Sequence, residues 1–499
     1  MLTLVRRAYR LVAVLTTLCA LIGVARLVVP ATDTGNGEPP GVRRQLTFLR
    51  AALDAGAGTE AQQLFPEGYF FSHVLYGLSW VELGMRASAR EGTARTGATR
   101  EGAARTGAAG RRTAVEEERD TALREARWAL ARLDSPAGQA PFSADLTPPY
   151  GVFYQGWTTW LRGGILALQP ADRRDPGEVQ RFAVDAVALG AAFDDSASPY
   201  LPAYPGQAWP VDSTVAVAAL RLHDTLLPPR FAGTVQHWLT GVRQRLDPAT
   251  GLLPHRVDPV DGAPAEVARA TSQSVIHRFL VEIDPVFARE QYLRFRDRYV
   301  ATPLGLGPAV REYPDGTAGP GDVDSGPLLL GVSLSATVVT IGAAQVQGDT
   351  TLAGALANYG ELAGLPVDTP WTKRYAFGLV PVGDAFLAWS KTARPWLAAA
   401  SGSTAGAVGG PPTVGPVGVG PTAGADRRTS KARQGPPPTV GWWWRLPLLG
   451  LLLLAGTLPW LPELLVRSRR RRPFPVLRVP PPTPAHPPTV AGAGPGPLS

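Results

Sequence analysis

A chain of 499 residues with 45% hydrophobic and 18% charged residues can bury a large core and is too apolar to be disordered throughout. Its net charge of +8 does not describe a nucleic-acid groove. Arg6, Arg7 and Arg10 at one end, with Arg467, Arg469, Arg470, Arg471, Arg472 and Arg478 at the other, account for the whole excess, and residues 1–10 and 467–499 contain no acid. The single cysteine, Cys19, lies inside an apolar run, which excludes disulfides, zinc–thiolate clusters and a thiol nucleophile from the rest of the chain.

Residues 1–30 open with arginines and continue as an apolar stretch from Leu11 to Val29, the pattern of a signal anchor or signal peptide. The small-residue signal around Val29, Pro30 and Ala31 is weak, which favours an uncleaved anchor. A second apolar segment spans 442–466, with Trp442, Trp443 and Trp444 as an aromatic belt and the arginine run beyond it. Arginines before the first segment and after the second place both termini in the cytoplasm. The intervening polypeptide is then extracytoplasmic, and the membrane is the one partner the sequence names.

Between the anchors, residues 40–398 form one domain in which helical periodicity recurs between Pro and Gly punctuation. The expected helices are Val42–Ala55, Gly68–Ala87, Val115–Leu133, Phe153–Leu168, Gly177–Phe193 and Ser213–Leu226. They continue with Ala232–Leu246, Ala265–Val281, Pro285–Tyr299, Pro327–Gln347, Thr350–Ala363 and Gly383–Thr392. Twelve helices joined by short turns suggest six stacked hairpins, and the scarcity of alternating apolar runs makes the class all-α. EGTARTGATR at 91–100 and EGAARTGAAG at 101–110 match at seven of ten positions, so residues 88–114 read as a disordered insertion expanded by duplication. Residues 399–441 are a Gly/Pro-rich linker, and 467–499 a basic and then Pro-rich disordered tail.

Several runs occur in a telling order: DSTVAVAAL from Asp212, DPATGL from Asp247 with His255 and Asp261 after it, IDPVFA from Ile283 with Tyr292 and Phe295 after it, and DVDSG from Asp322. YQGW from Tyr154 and VLYGL from Val74 add weaker echoes. In order and spacing they resemble the linalool dehydratase/isomerase superfamily over roughly residues 65–395. That resemblance implies an (α/α)6 barrel of the six-hairpin type with its site in the barrel mouth. Members acting on linalool use cysteine, histidine, tyrosine and aspartate there. Here Asp212 stands where one cysteine is expected and Trp157 where the histidine is, so the same mechanism on linalool is not implied.

The residues offer their own chemistry. Asp212, at the start of an apolar helix, is either an N-cap or one of two carboxylates that divide acid and base roles with Asp322 or Asp324. Asp322 and Asp324 equally suit a divalent cation or a second helix cap. Tyr69, Tyr154, Trp157, Tyr204 and Trp209 are expected to wall a sugar or an apolar chain, unless they are simply core. His277 is a core histidine unless it stands near Asp212, where it becomes a proton shuttle. His255, in a turn, is expected to face solvent. Without a phosphate loop, HExxH or GxSxG, no cofactor or metal is expected. The reading is an enzyme acting on a small amphiphilic molecule or a glycan through Asp212, Asp324 and His277. The alternative is a non-catalytic barrel that binds a ligand or an envelope partner.

Overall fold

A computed structural model describes residues 2–31, 37–101, 105–397 and 440–463, with side chains for 4–31, 37–90, 113–397 and 440–463. The helices are α1 (Leu2–Val28), α2 (Val42–Asp54), α3 (Ala57–Leu64), α4 (Gly68–Glu101), α5 (Arg105–Leu133), α6 (Pro136–Gln139), α7 (Gly151–Ala167) and α8 (Pro176–Asp194). They continue as α9 (Pro210–Leu226), α10 (Ala232–Gln244), α11 (Ala270–Ile283), α12 (Pro285–Tyr299), α13 (Leu334–Val346), α14 (Thr350–Ala363), α15 (Pro381–Thr392) and α16 (Arg445–Thr457). Helix accounts for 66% of the structure, so the class is all-α. The paired strands among the described residues are three short antiparallel ribbons: β1 (Arg256–Val257) with β2 (Pro264–Glu266), β3 (Val300–Ala301) with β4 (Ala309–Val310), and β5 (Val367–Asp368) with β6 (Lys373–Arg374).

Local chemistry sets the helix starts. Asp175, Asp284, Ser333 and Asp349 each accept a hydrogen bond from a first-turn amide of the helix they precede. Pro176, Pro210, Pro285 and Pro381 occupy first positions, where a missing N–H costs nothing. Several elements depart from expectation. α11 starts at Ala270 rather than Ala265 because Pro264–Glu266 pairs with Arg256–Val257. α13 starts at Leu334 rather than Pro327 because Ser333 supplies the cap. Of the stretch 88–114, expected to be a disordered insertion, the described residues are helical: α4 continues through Glu101 and α5 begins at Arg105. Residues 88–114 contain no proline, and their Ala and Arg residues favour helix, while five glycines weaken it. The linker at 399–441 falls almost entirely outside the described residues, and the tail at 467–499 does so completely.

The chain divides into a smaller unit, Met1–Leu21 with Leu452–Ser499, and a larger one, Ile22–Leu451. Two helices, over Leu4–Val28 and Trp442–Glu463, are long and apolar enough to cross a membrane. In the smaller unit Thr17 Oγ1 donates to the Gly456 carbonyl at 2.9 Å and receives the Trp460 indole N–H at 2.8 Å. In the larger unit α4 packs against α7, α7 against α9, α9 against α11, α11 against α13, α13 against α15, and α15 against α4. The remaining long helices flank these: α5 lies on α4, α8 on α7, α10 on α9, α12 on α11, α14 on α13 and α2 on α15.

α7 and α9 approach closely because Gly156 has no side chain; a β-carbon there would lie 3.0 Å from the Ala216 backbone nitrogen. Trp157, Phe279 and Trp389 from α7, α11 and α15 meet in the core, with ring centroids 5.2 and 5.6 Å from that of Trp157. Further along, Arg278 pairs with Glu82, both buried, and Thr392 donates to the same carboxylate at 2.7 Å. Glu282 accepts the Trp396 and Leu397 amides at 2.8 and 2.9 Å, and burial pushes its carboxyl up to about 7.

Candidate functional site

Four segments meet at one end of this helix set: Glu67 just before α4, Tyr204 in the loop before α9, Asp212 in the first turn of α9, and the loop Asp322–Ser325 before α13. The Tyr204 hydroxyl donates to the Glu67 carboxylate. Tyr204 itself stacks on Phe142 at 5.9 Å and meets Trp209 edge-on at 5.8 Å. Burial, with Glu67 next to it, pushes the Tyr204 phenol upward, so it stays a proton donor across physiological pH.

Asp212 does not cap its helix. Pro210 takes the first position, Trp209 precedes it, and no side chain accepts a first-turn amide. Asp212 is three residues too late for that task, unlike Asp284, which stands immediately before Pro285 and accepts the amides of Val286 and Phe287 at 3.0 Å. The Asp212 side chain is 5% exposed and makes no hydrogen bond or ion pair with any described residue. Burial, then the charges of Glu67 and Asp324, raise its carboxyl well above the usual carboxylate range. A place in the first turn favours the ionised form by only about 0.3–1 kcal/mol, too little to reverse those effects.

Asp324 is an exposed residue, although much protein surrounds its carboxyl. Burial, with Asp322 and Glu67 nearby, pushes its carboxyl up to about 6. The two aspartates therefore titrate in order. Asp324 loses its proton first, so Asp212 feels a charged neighbour, whereas Asp324 ionises beside a neutral Asp212. The Ser335 hydroxyl holds the Asp324 carbonyl at 2.5 Å and fixes the loop to α13.

Asp322 has a different task. It pairs with Arg269 Nη1 at 2.5 Å and accepts the amides of Asp324 and Ser325 at 3.1 and 2.9 Å. Burial opposes ionisation, yet Arg269 and Ser325 together hold this carboxyl below its usual range. Arg269 also binds Glu312 at 2.8 Å. Asp322 thus shapes the loop that presents Asp324. Nearby, His255 is buried rather than facing solvent, because the β1–β2 ribbon covers the turn; its Nδ1 lies 2.7 Å from the Ser272 hydroxyl, and burial lowers it to about 4.

The remaining residues singled out by sequence lie elsewhere. His277 is fully buried against Phe295 and Tyr292, with ring centroids 5.0 and 5.8 Å away, and neither ring nitrogen has a hydrogen-bond partner among the described residues. Burial alone lowers it to about 3, and no carboxylate contributes to that shift. Trp157 is core, and Tyr154 is buried with its hydroxyl 3.2 Å from the Leu133 carbonyl. Tyr69, half-buried on α4, stacks against His73 at 4.2 Å. Glu67 escaped sequence reasoning; its signal is Pro66-Glu67-Gly68, a carboxyl at the threshold of an apolar helix. No group of three or more His, Cys, Asp or Glu side chains among the described residues has the geometry to hold a metal ion.

The arrangement supplies one carboxyl raised well above the usual carboxylate range, one that titrates at about 6, and a phenol-bound glutamate between neighbouring helix starts. Comparison with protein-family models finds no match, and comparison with curated proteins finds none either.

Proposed function

We propose that this chain is a membrane-anchored enzyme whose extracytoplasmic domain is an (α/α)6 toroid of the linalool dehydratase/isomerase type. On this reading it cleaves a C–O bond of a small amphiphilic molecule or a glycan by carboxylate acid–base chemistry. The cyclic order of neighbours from α4 round to α15 and back supports the toroid, and the order of the sequence motifs supports the family. The arginine clusters at both ends support the orientation.

One observation carries the chemistry: the buried Asp212 carboxyl, without a partner among the described residues, beside Glu67 and Asp324. Protonated Asp212 donates to the departing oxygen, which leaves with the C–O electron pair. Ionised Asp324 takes a proton either from a water whose oxygen bonds to the carbon that lost its oxygen, or from the adjacent carbon, whose C–H electrons then form a C=C bond. Asp322 and Arg269 position Asp324, while Tyr204 and Trp209 wall the site.

The test is to purify the full chain in detergent and screen it against glycans and terpene alcohols beside Asp212→Asn and Asp324→Asn. The expected result is turnover by the parent and at least a hundredfold loss in each variant. Undiminished turnover by Asp212→Asn would remove Asp212 from the mechanism.

A further inference from the structure

The polypeptide between α14 and α15 presents an apolar surface that none of the described residues covers. Leu365, Trp371, Phe377, Leu379 and Val380 all project outward, Trp371 and Leu379 with 78% of their surface exposed. Single exposed apolar residues are ordinary, but five within sixteen positions form a patch. Leu329 and Leu330, in the loop before α13, are also exposed, and α13 packs against α15.

The backbone shows that these side chains are held outward at a cost. Leu330, Leu365, Ala376 and Phe377 all have left-handed φ values, 53°, 44°, 44° and 60°. Side chains with a β-carbon rarely adopt that conformation, and glycine or asparagine would relieve it.

The same segment is bonded to the end of an apolar helix. Arg26, near the last turn of α1, donates from Nη2 to the Pro366 carbonyl at 2.7 Å. Asn358 of α14 donates to the Val29 carbonyl at 2.5 Å, and Trp444, at the start of the other apolar segment, meets Tyr359 edge-on at 6.4 Å. An arginine close to the end of a span and tryptophans at its border mark the level of the lipid headgroups. Residue 366 is therefore at that level.

We propose that residues 365–380 are immersed in the membrane interface, with Leu329 and Leu330 beside them, so that the domain rests on lipid as well as being tethered to it. The occupant of the patch is the lipid monolayer, because the patch continues directly from the end of a span. The loop that carries Asp324 also carries Leu329 and Leu330, so the contact brings the carboxyl-bearing end of the domain to the bilayer surface. This rests on the reading that α1 and α16 cross a membrane.

The experiment uses the full chain with Cys19→Ser, reconstituted into phosphatidylcholine vesicles, with Phe377→Cys or Leu379→Cys carrying an environment-sensitive fluorophore. Val286→Cys, at an exposed position of α12, is the control. Flotation after an alkaline wash reports anchorage separately. Expected are flotation of every variant, blue-shifted emission at 377 and 379 that is at least halved by doxyl-labelled lipid, and water-like emission at 286. Floating protein with water-like, unquenched probes at 377 and 379 overturns the interface contact and leaves anchorage standing. Shielded probes that lipid does not quench place another protein copy over the patch and overturn it equally. Failure to float overturns both.

Discussion

Tyr204 and Glu67 are bonded through the Tyr204 hydroxyl although 137 residues separate them. The bond ties the loop before α9 to the start of α4 and sets the boundary of the carboxyl cluster. Tyr204→Phe keeps the ring packing on Phe142 and Trp209 but removes a donor from an ionised acceptor. Hydrogen bonds to charged groups contribute about 1.5–3 kcal/mol, and the pair is half-buried, so urea unfolding at pH 7 should show a loss near the low end, about 1.5 kcal/mol. An unchanged midpoint would mean that the bond contributes nothing to stability.

The two aspartates give activity a defined pH dependence. Asp324 acts ionised, so the rate should rise as pH passes about 6, and Asp212 acts protonated, so the rate should fall again at higher pH. Asp324→Asn should abolish the rising limb. The linkage to folding has the same window and the opposite sense. Because the folded carboxyl titrates above its ordinary 3.8, its contribution to stability is complete below that value and is lost as pH rises through about 6. Urea midpoints taken from pH 4 to 7 should therefore decline less in Asp324→Asn than in the parent.

His277 should behave as core, not as a shuttle. Held neutral with a folded value of about 3, it contributes stability that is complete above 6.5 and is lost as pH falls toward 3. The slope is about 1.4 kcal/mol per pH unit in that window. His277→Leu, close in volume, should keep turnover at pH 7 and lose less stability than the parent between pH 6.5 and 4.5. A fall in turnover comparable to that of Asp212→Asn, in a variant that remains folded, would return His277 to the mechanism.

What the sequence made legible follows from the range of the forces involved. α12 and α14 were readable to the residue because Asp284 with Pro285, and Asp349 before Thr350, are local signals whose partners lie three residues away. Starts set by distant or irregular partners were not. Ala265 became part of a ribbon with Arg256–Val257, and Pro327 entered a loop in which Leu330 is left-handed. The same limit applies to the site. Asp212 could be singled out as a carboxyl at an apolar helix start, but whether it capped depended on its offset from Pro210. Its neighbours Glu67 and Asp324 lie more than a hundred positions away in either direction. The burial of His255 and the partnerless position of His277 likewise depend on packing between helices, to which sequence periodicity is blind.

Lysine is rare in this chain, at three among 49 basic residues, and two of the three, Lys373 and Lys391, bind the Glu361 carboxylate at 2.8 and 2.6 Å. Both are buried, and Lys391 also lies 2.5 Å from the Tyr375 hydroxyl. A compact ammonium fits such a site where a planar guanidinium does not. Burial opposes ionisation of Glu361, but the two lysines hold it down at about 2, so its contribution is present above pH 4.5 and is lost as pH falls toward 2. Glu361→Gln leaves two buried ammonium groups without their counter-charge, and chemical unfolding at pH 7 should show a loss of about 3–5 kcal/mol. Replacing Lys391 and Glu361 together, by Met and Gln, should cost less than Glu361→Gln alone, because one of the stranded charges leaves with its partner.

Asn358 makes the link between α14 and the end of α1 a matter of three hydrogen bonds: its amide reaches the carbonyls of Arg26, Leu27 and Val29 at 3.3, 3.4 and 2.5 Å. Carbonyls at a helix C-terminus have no partner within the helix, and in an apolar setting an unmet carbonyl is expensive. The Asn358 amide meets that need, which ties the last turn of α1 to the domain. Asn358→Leu preserves side-chain volume and removes the donors, so the last turn of α1 should fray. Hydrogen exchange at the amides of residues 25–31 should accelerate at least tenfold, the factor that corresponds to about 1.4 kcal/mol, while exchange in α9 stays unchanged. Equal protection in the variant would show that the packing of Leu27 and Trp444 around Ala355, with the Arg26 and Arg445 hydrogen bonds, holds the helix end without Asn358.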